Sequence, residues 1–346
     1  YKDGILIASI ASSGVNVSNS TDLKIGTGVC SPFYPGNGFP TATLDEVRLW
    51  NTSLNEAQIR DRMCRKVTSA DPLYTNLVAY YNFDESTGNT AFDGSVNANN
   101  GTLVNGPNRV TSGAAIGNTS AHSYAGASAS VNLAHPTRGD DLTATLTAGA
   151  ANGLQVYHVN EEPNTRTGVP GLASNNAYFG TFVVGGSSPT LNAVYNYDGI
   201  PNIVSEGGLA LFGRNNNSIT TWNAENAVIN TTANTLSLNG ITGNQKELIV
   251  GENSPGTISA SQSSCLAIVP DPLTGTAAFN GVPGVTYQWQ DSIVGGTWTN
   301  IPGATNGTTY APPLLNSPKY FRRLATLNTL TIPSNEVFLD IRGAIS

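Results

Sequence analysis

Short apolar runs recur along this chain, many with a two-residue period, and clusters of Gly, Asn, Asp, Ser and Pro separate them. In TLDEVRLW, Val47 and Leu49 fall on one face of an extended strand, and Glu46 and Arg48 on the other. Tyr287 and Trp289 alternate with Gln288 and Gln290, and in EVFLDI the residues Val337, Leu339 and Ile341 share a face. Between residues 119 and 250 the pattern predicts strands at DLTATLTA, LQVYHV, AYFGTFVV, LNAVYNY, LALFGR, SITTWN, NTLSL and KELIVG. Asn-Gly, Gly-Gly and Asp-Gly pairs supply the turns, and Lys2-Asp3-Gly4 reads as a further hairpin turn. One stretch departs from the period. Ser53-Leu54-Asn55-Glu56 has the form of a capping box, and it predicts a helix from Ser53 to about Met63.

Turn-rich stretches divide the chain. Residues 105–118 turn to Gly, Asn, Pro and Ser, and ENSPGTIS reads as a linker into the last segment. These breaks predict modules over 1–110, 111–250 and 251–346, and the fold class is all-β, built from tandem β-sandwich modules. YKDGILIAS already reads as mid-domain strand sequence, so the chain is expected to begin inside a module.

Composition narrows the function. Charged residues make up 11% of the chain, against about a quarter in ordinary soluble domains. A hydrophobic content of 39% and a net charge of only −7 argue against disorder. The mild acidity, with no lysine-rich stretch, argues against a nucleic-acid partner. No apolar run approaches the length needed for membrane insertion as a helix. A surface of Asn, Ser, Thr and Gly stays soluble through neutral hydrogen bonds that salt hardly screens, which suits an extracellular setting. Of the three cysteines, Cys30 and Cys64 lie in the same segment and are the candidate disulfide, leaving Cys265 alone.

The stretches YKDGILIAS, LDEVRLWNTSLNEAQI and LVAYYNFDESTGNTAFDGSVNANNGTLVNG resemble the second half of a laminin G-like, concanavalin A-like jelly roll over residues 1–106. In the last segment, YQWQDS, WTNIPGATNGTTYAPPLL, KYFRRLAT and SNEVFLDI resemble the immunoglobulin-like repeats of Bacteroidota adhesins. The central segment is similar to β-modules of the same kind of protein. Together these resemblances imply a partial laminin G-like jelly roll, a central β-sandwich and an immunoglobulin-like sandwich. They imply a non-enzymatic cell-surface adhesin of gliding-motility type, exported by type IX secretion, whose partner is a glycan or another extracellular ligand. Other modules, or copies of the same chain, are further partners this reading allows. A structural stalk that spaces other modules is the second expectation, and an accessory region of a secreted polysaccharide-degrading enzyme is the third.

Candidate chemistry is sparse. Retaining glycosidases need two carboxylates about 5–5.5 Å apart, whereas Asp45 and Glu46 are adjacent on a strand and point to opposite faces. His122, His135 and His158 lack metal-site spacing and are expected as isolated surface or loop residues. The acidic pairs Asp140-Asp141 and Glu161-Glu162 are expected in solvated turns. One stretch has ligand-like spacing: Asp93, Ser95, Asn97 and Asn99 place oxygen-bearing side chains at alternate positions, as calcium loops do. Laminin G-like domains often bind calcium, so calcium is the one cofactor expected.

Overall fold

The computed structural model describes residues 1–10, 22–26, 42–172, 177–279, 284–327 and 330–342. The structure is all-β, with several antiparallel sheets arranged as sandwich modules. Its single α-helix among the described residues is Glu56–Met63, accompanied by one-turn 3-10 segments. No helix among the described residues is long and apolar enough to cross a membrane.

At the start of the chain, Lys2 and Ile5 exchange backbone hydrogen bonds of 2.9 Å across Asp3 and Gly4. Both turn residues have positive φ, 50° and 75°, the requirement of a type I′ hairpin turn. Strand Val47–Trp50 pairs antiparallel with Leu77–Tyr81. As the alternation predicts, Val47 and Leu49 pack against Ala79, Tyr81 and Ala91. The helix between these strands is capped two residues later than Ser53. The Asn55 side chain accepts from the Gln58 amide, and the Gln58 side chain accepts from the Asn55 amide, both at 2.9 Å. Asn and Gln fill the two capping roles as well as Ser and Glu do. Leu54 and Ile59, the residues flanking this box, line one cleft with Trp50. Glu56 is left free to pair with Arg60 one turn on.

The central segment is a two-sheet sandwich. One sheet runs in the order Val228–Asn230, Thr235–Thr242, Thr190–Asn196, Asp141–Ala148 and Ser130–Ala134. The other runs Asn223–Ala224, Leu209–Arg214, Gln245–Glu252, Tyr178–Val184, Gly153–Val159 and Thr119–Ser123. Leu142, Leu146, Leu154, Val156, Phe179, Leu191, Tyr195, Leu211, Leu236, Leu248 and Val250 fill the space between them. The predicted strands DLTATLTA and LALFGR coincide with Asp141–Ala148 and Leu209–Arg214. SITTWN is instead mostly irregular: strand structure begins only at Asn223, and Trp222 turns inward so that its Nε1 donates to the Thr165 carbonyl at 2.8 Å. Strands Thr119–Ser123, Ser130–Ala134 and Val228–Asn230 lack a strong apolar alternation and were not expected from the pattern.

The second of these sheets is covered on both faces, and every residue of Gly153–Val159 is buried. Its outward side chains, Tyr157, Val159, Tyr178, Phe212 and Ile249, pack with Trp222, Met63 and Cys64. The segment after the helix is thus part of the sandwich's outer layer. Gln155 Nε2 donates to the Arg60 carbonyl at 3.0 Å, and the Arg60 guanidinium lies 3.8 Å above the Tyr124 ring. Arg65 bridges to Gly117, and Lys66 pairs with Glu161 at 3.0 Å.

In the last segment, Gln262–Ser264, Val337–Ile341, Lys319–Leu327, Thr286–Ile293 and Thr299–Thr305 form one sheet in that order, with Leu330–Pro333 paired to Lys319–Leu327. Trp289, Phe321, Val337, Leu339 and Ile341 form its buried face, as the alternation predicts. Arg323 lies among them, fully buried; it donates to the Thr276 carbonyl and stacks 4.2 Å from the Tyr287 ring.

Candidate functional site

The described residues form three polar constellations, and the sequence pointed to only the first. Asp93, Ser95, Asn97 and Asn99 do converge, beneath strand Leu77–Tyr81. One Asp93 oxygen accepts from the amides of Tyr80 and Ser95, both at 2.8 Å. The other accepts from the Ser95 hydroxyl and the Asn99 amide, both at 2.7 Å. Burial opposes ionisation here, but these donors hold the carboxyl below the usual range. Ser95 Oγ, Asn97 Nδ2 and Asn99 Nδ2 all point at the Val78 carbonyl, at 3.3, 3.1 and 3.0 Å. Among the described residues, no three His, Cys, Asp or Glu side chains cluster as a metal site.

The second constellation lies under the outer layer of the central sandwich. Arg214 and Glu247 pair at 2.6 Å, with side chains 0% and 1% exposed. Burial pushes the Glu247 carboxyl upward, against the pull of Arg214. Tyr157 donates to Glu247 at 3.1 Å, and Gln245 donates to the Tyr157 hydroxyl at 3.1 Å. The guanidinium also reaches Asn164 at 2.5 Å, Asn217 at 2.7 Å and the Ile219 carbonyl at 3.1 Å, and it lies 4.2 Å over the Trp222 ring. Gly180 makes room for this arrangement, since a Cβ there would sit 2.1 Å from the Tyr157 ring. Every member is tied, and the cluster ties loop residues Asn164, Asn217 and Trp222 to the sheet. Its chemistry is that of a clamp.

The third overturns an expectation. His135 and His158 are 7% and 0% exposed, and their rings meet edge to face at 4.5 Å. They are a buried pair, brought together because Gly153–Val159 carries His158 into the sandwich beneath the turn after Ser130–Ala134. Neither nitrogen of His158 has a hydrogen-bond partner among the described residues. Burial, then the neighbouring His135, pushes its pKa down to about 4. Asp140 is likewise no solvated turn residue: it is fully buried, pairs with Arg138 at 2.7 Å and accepts from Tyr195 at 3.1 Å. A histidine at a strand end carries no local signal of such burial.

Cys64 is buried, and as a thiol burial pushes it up to about 12. Cys30 lies outside the described residues.

Residues 254–342 match the model of a family described as a domain of unknown function, DUF8696. No curated protein matches the chain. Among solved structures, the chain is similar to a run of titin domains, with 11% identity and a TM-score of 0.19 over 63% of this chain and 98% of that one. It is also similar to the N-terminal domain of the Streptococcus gordonii adhesin Sgo0707, with 11% identity and a TM-score of 0.20 over 60% of this chain and 77% of that one.

Proposed function

We propose that this chain is a non-enzymatic stretch of an extracellular adhesin whose modules, divided near residues 110 and 250, hold a glycan or other cell-surface ligand. The observation that carries this reading is the chemistry of the exposed sheet face in the central sandwich. There Ser130 bonds Thr145 at 2.7 Å, while Asn132 donates to Asp141 at 2.7 Å and Thr143 at 2.8 Å. Such cross-strand ladders are mostly neutral, so the surface keeps its structure as ionic strength varies outside a cell. The fuller form of the reading is a gliding-motility-type surface protein exported by type IX secretion. Antibody against the chain should then label intact cells, and purified chain should compete for their attachment to surfaces. Labelling confined to lysed cells would sink it.

A stalk is the second reading, favoured by the join between the first and central segments. The helix segment is built into the sandwich's outer layer through Met63, Cys64 and the Gln155–Arg60 bond, which makes a stiff joint.

Calcium at the Asp93 loop belongs to the same proposal. Turned by half a rotation, the Asn97 and Asn99 amides would present oxygens where their –NH2 groups now face Val78. Those oxygens, Asp93, Ser95 and the Val78 carbonyl would then supply most of a hard-ligand shell. With a single carboxylate the affinity belongs near the millimolar range of extracellular modules. Millimolar calcium is expected to raise the thermal midpoint of the parent and not of Asp93→Ala. An unmoved parent midpoint identifies the stretch as a self-bonded turn.

The Cys30–Cys64 disulfide is also proposed, worth roughly 2–4 kcal/mol. Denatured, unreduced protein should then titrate one thiol, Cys265; three would end the proposal.

A further inference from the structure

The exposed face of the last sheet differs in kind from that of the central sandwich. Cross-strand register places Phe338 opposite Tyr320, and Arg322 opposite Gln290, which in turn faces Asn300. These side chains lie opposite the buried face formed by Phe321, Val337 and Leu339. The Phe338 and Tyr320 rings lie 4.6 Å apart, and the Arg322 guanidinium stacks 4.3 Å from the Trp298 ring. Gln290 is the hinge of the polar row: it accepts from Arg322 Nε at 2.7 Å and donates to Asn300 at 2.8 Å. Half-buried aromatic rings thus lie beside the Arg322 guanidinium and the exposed Asn300 amide, with Gln290 buried between these two and holding them in place.

We propose that this face binds a neutral oligosaccharide, a reading that rests on the adhesin function above and gives it a site. A sugar ring has an apolar C–H face, which suits an aromatic ring, and an edge of hydroxyls, which suits planar amides and a guanidinium. Charge selects the neutral class. On this face Arg342 pairs with Asp340 at 2.9 Å, and the carboxylate of Glu336 acts as a counter-charge to Arg322. An ionic ligand of either sign finds no surplus of the other. With strands about 4.8 Å apart, the four strands from Val337–Ile341 to Thr299–Thr305 span roughly 14 Å, a width for a short chain of sugars.

The test applies the full chain to an array of neutral and acidic glycans and to intact cells, at low and high salt, with Trp298→Ala, Tyr320→Ala and Asn300→Ala alongside. Unchanged thermal midpoints certify that the variants fold. The expected result is salt-insensitive binding to a neutral glycan, weakened at least about tenfold by Trp298→Ala or Tyr320→Ala and less by Asn300→Ala. Neutral-glycan binding that all three folded variants retain overturns the site while leaving the adhesin reading intact. Binding only to acidic glycans, or to cells through a protein, overturns the neutral-sugar assignment. A chain that binds neither glycan nor cells overturns both readings.

Discussion

Arg214→Met alone, or Glu247→Leu alone, is expected to cost the central sandwich about 3–5 kcal/mol of stability. Each leaves an uncompensated charge or an unmet hydrogen-bond group in a place water does not reach, since the paired side chains are 0% and 1% exposed. The damage spreads beyond the pair. Glu247 receives the Tyr157 hydroxyl, and Arg214 holds Asn164, Asn217 and the Ile219 carbonyl, so the covering loops lose their anchor. The Arg214→Met, Glu247→Leu double variant should recover much of the loss, because neither charge then remains to be solvated. Urea unfolding of the parent, both singles and the double measures this. Singles that each cost less than about 1 kcal/mol would mean that the outer layer admits water and seals nothing.

Acidification should act on the same sandwich through His158. Its pKa is about 4 in the folded state, against about 6.5 for a free imidazole. The unfolded chain therefore takes up a proton below about pH 6.5 that the folded chain refuses until about pH 4. Stability contributed by the neutral ring is complete above that window and lost as pH falls through it. The loss amounts to about 3 kcal/mol. The groups facing His158 are His135, Asp140, Arg138 and Glu161; the cations disfavour its protonation and the carboxylates favour it. His158→Leu removes the titration and both unpartnered nitrogens. Its unfolding free energy, measured by denaturant titration between pH 7 and pH 4, should fall less than the parent's by that amount. Parallel curves would show that His158 titrates normally. Carboxylates held low by hydrogen bonds, such as Asp93, contribute their own acid loss to both proteins and cancel in the comparison.

Where period and turn chemistry act within a few residues, the sequence alone determined the result. Asp141–Ala148 and Leu209–Arg214 stand where the apolar pattern put them, and Lys2 to Ile5 form the expected hairpin turn. The buried row Val337, Leu339 and Ile341 follows from alternation alone. The presence of the helix was legible too, though its cap moved from Ser53 to Asn55, because Asn55 and Gln58 offered a second capping pair two residues on.

Tertiary structure decided the burial of polar groups. SITTWN has a strand's composition, yet Trp222 leaves the strand path to cover Arg214. His158 and Asp140 carry the local marks of a strand end and a turn, and both are fully buried. The aromatic and amide rows on the last sheet exist only once four strands are laid side by side. The physical reason is range. A strand's period is written in adjacent side chains, whereas the cover over the second sheet comes from far along the chain, as when Gln155 meets Arg60 across 95 positions. Burial of a charge or an imidazole depends on that cover, and no local pattern encodes it.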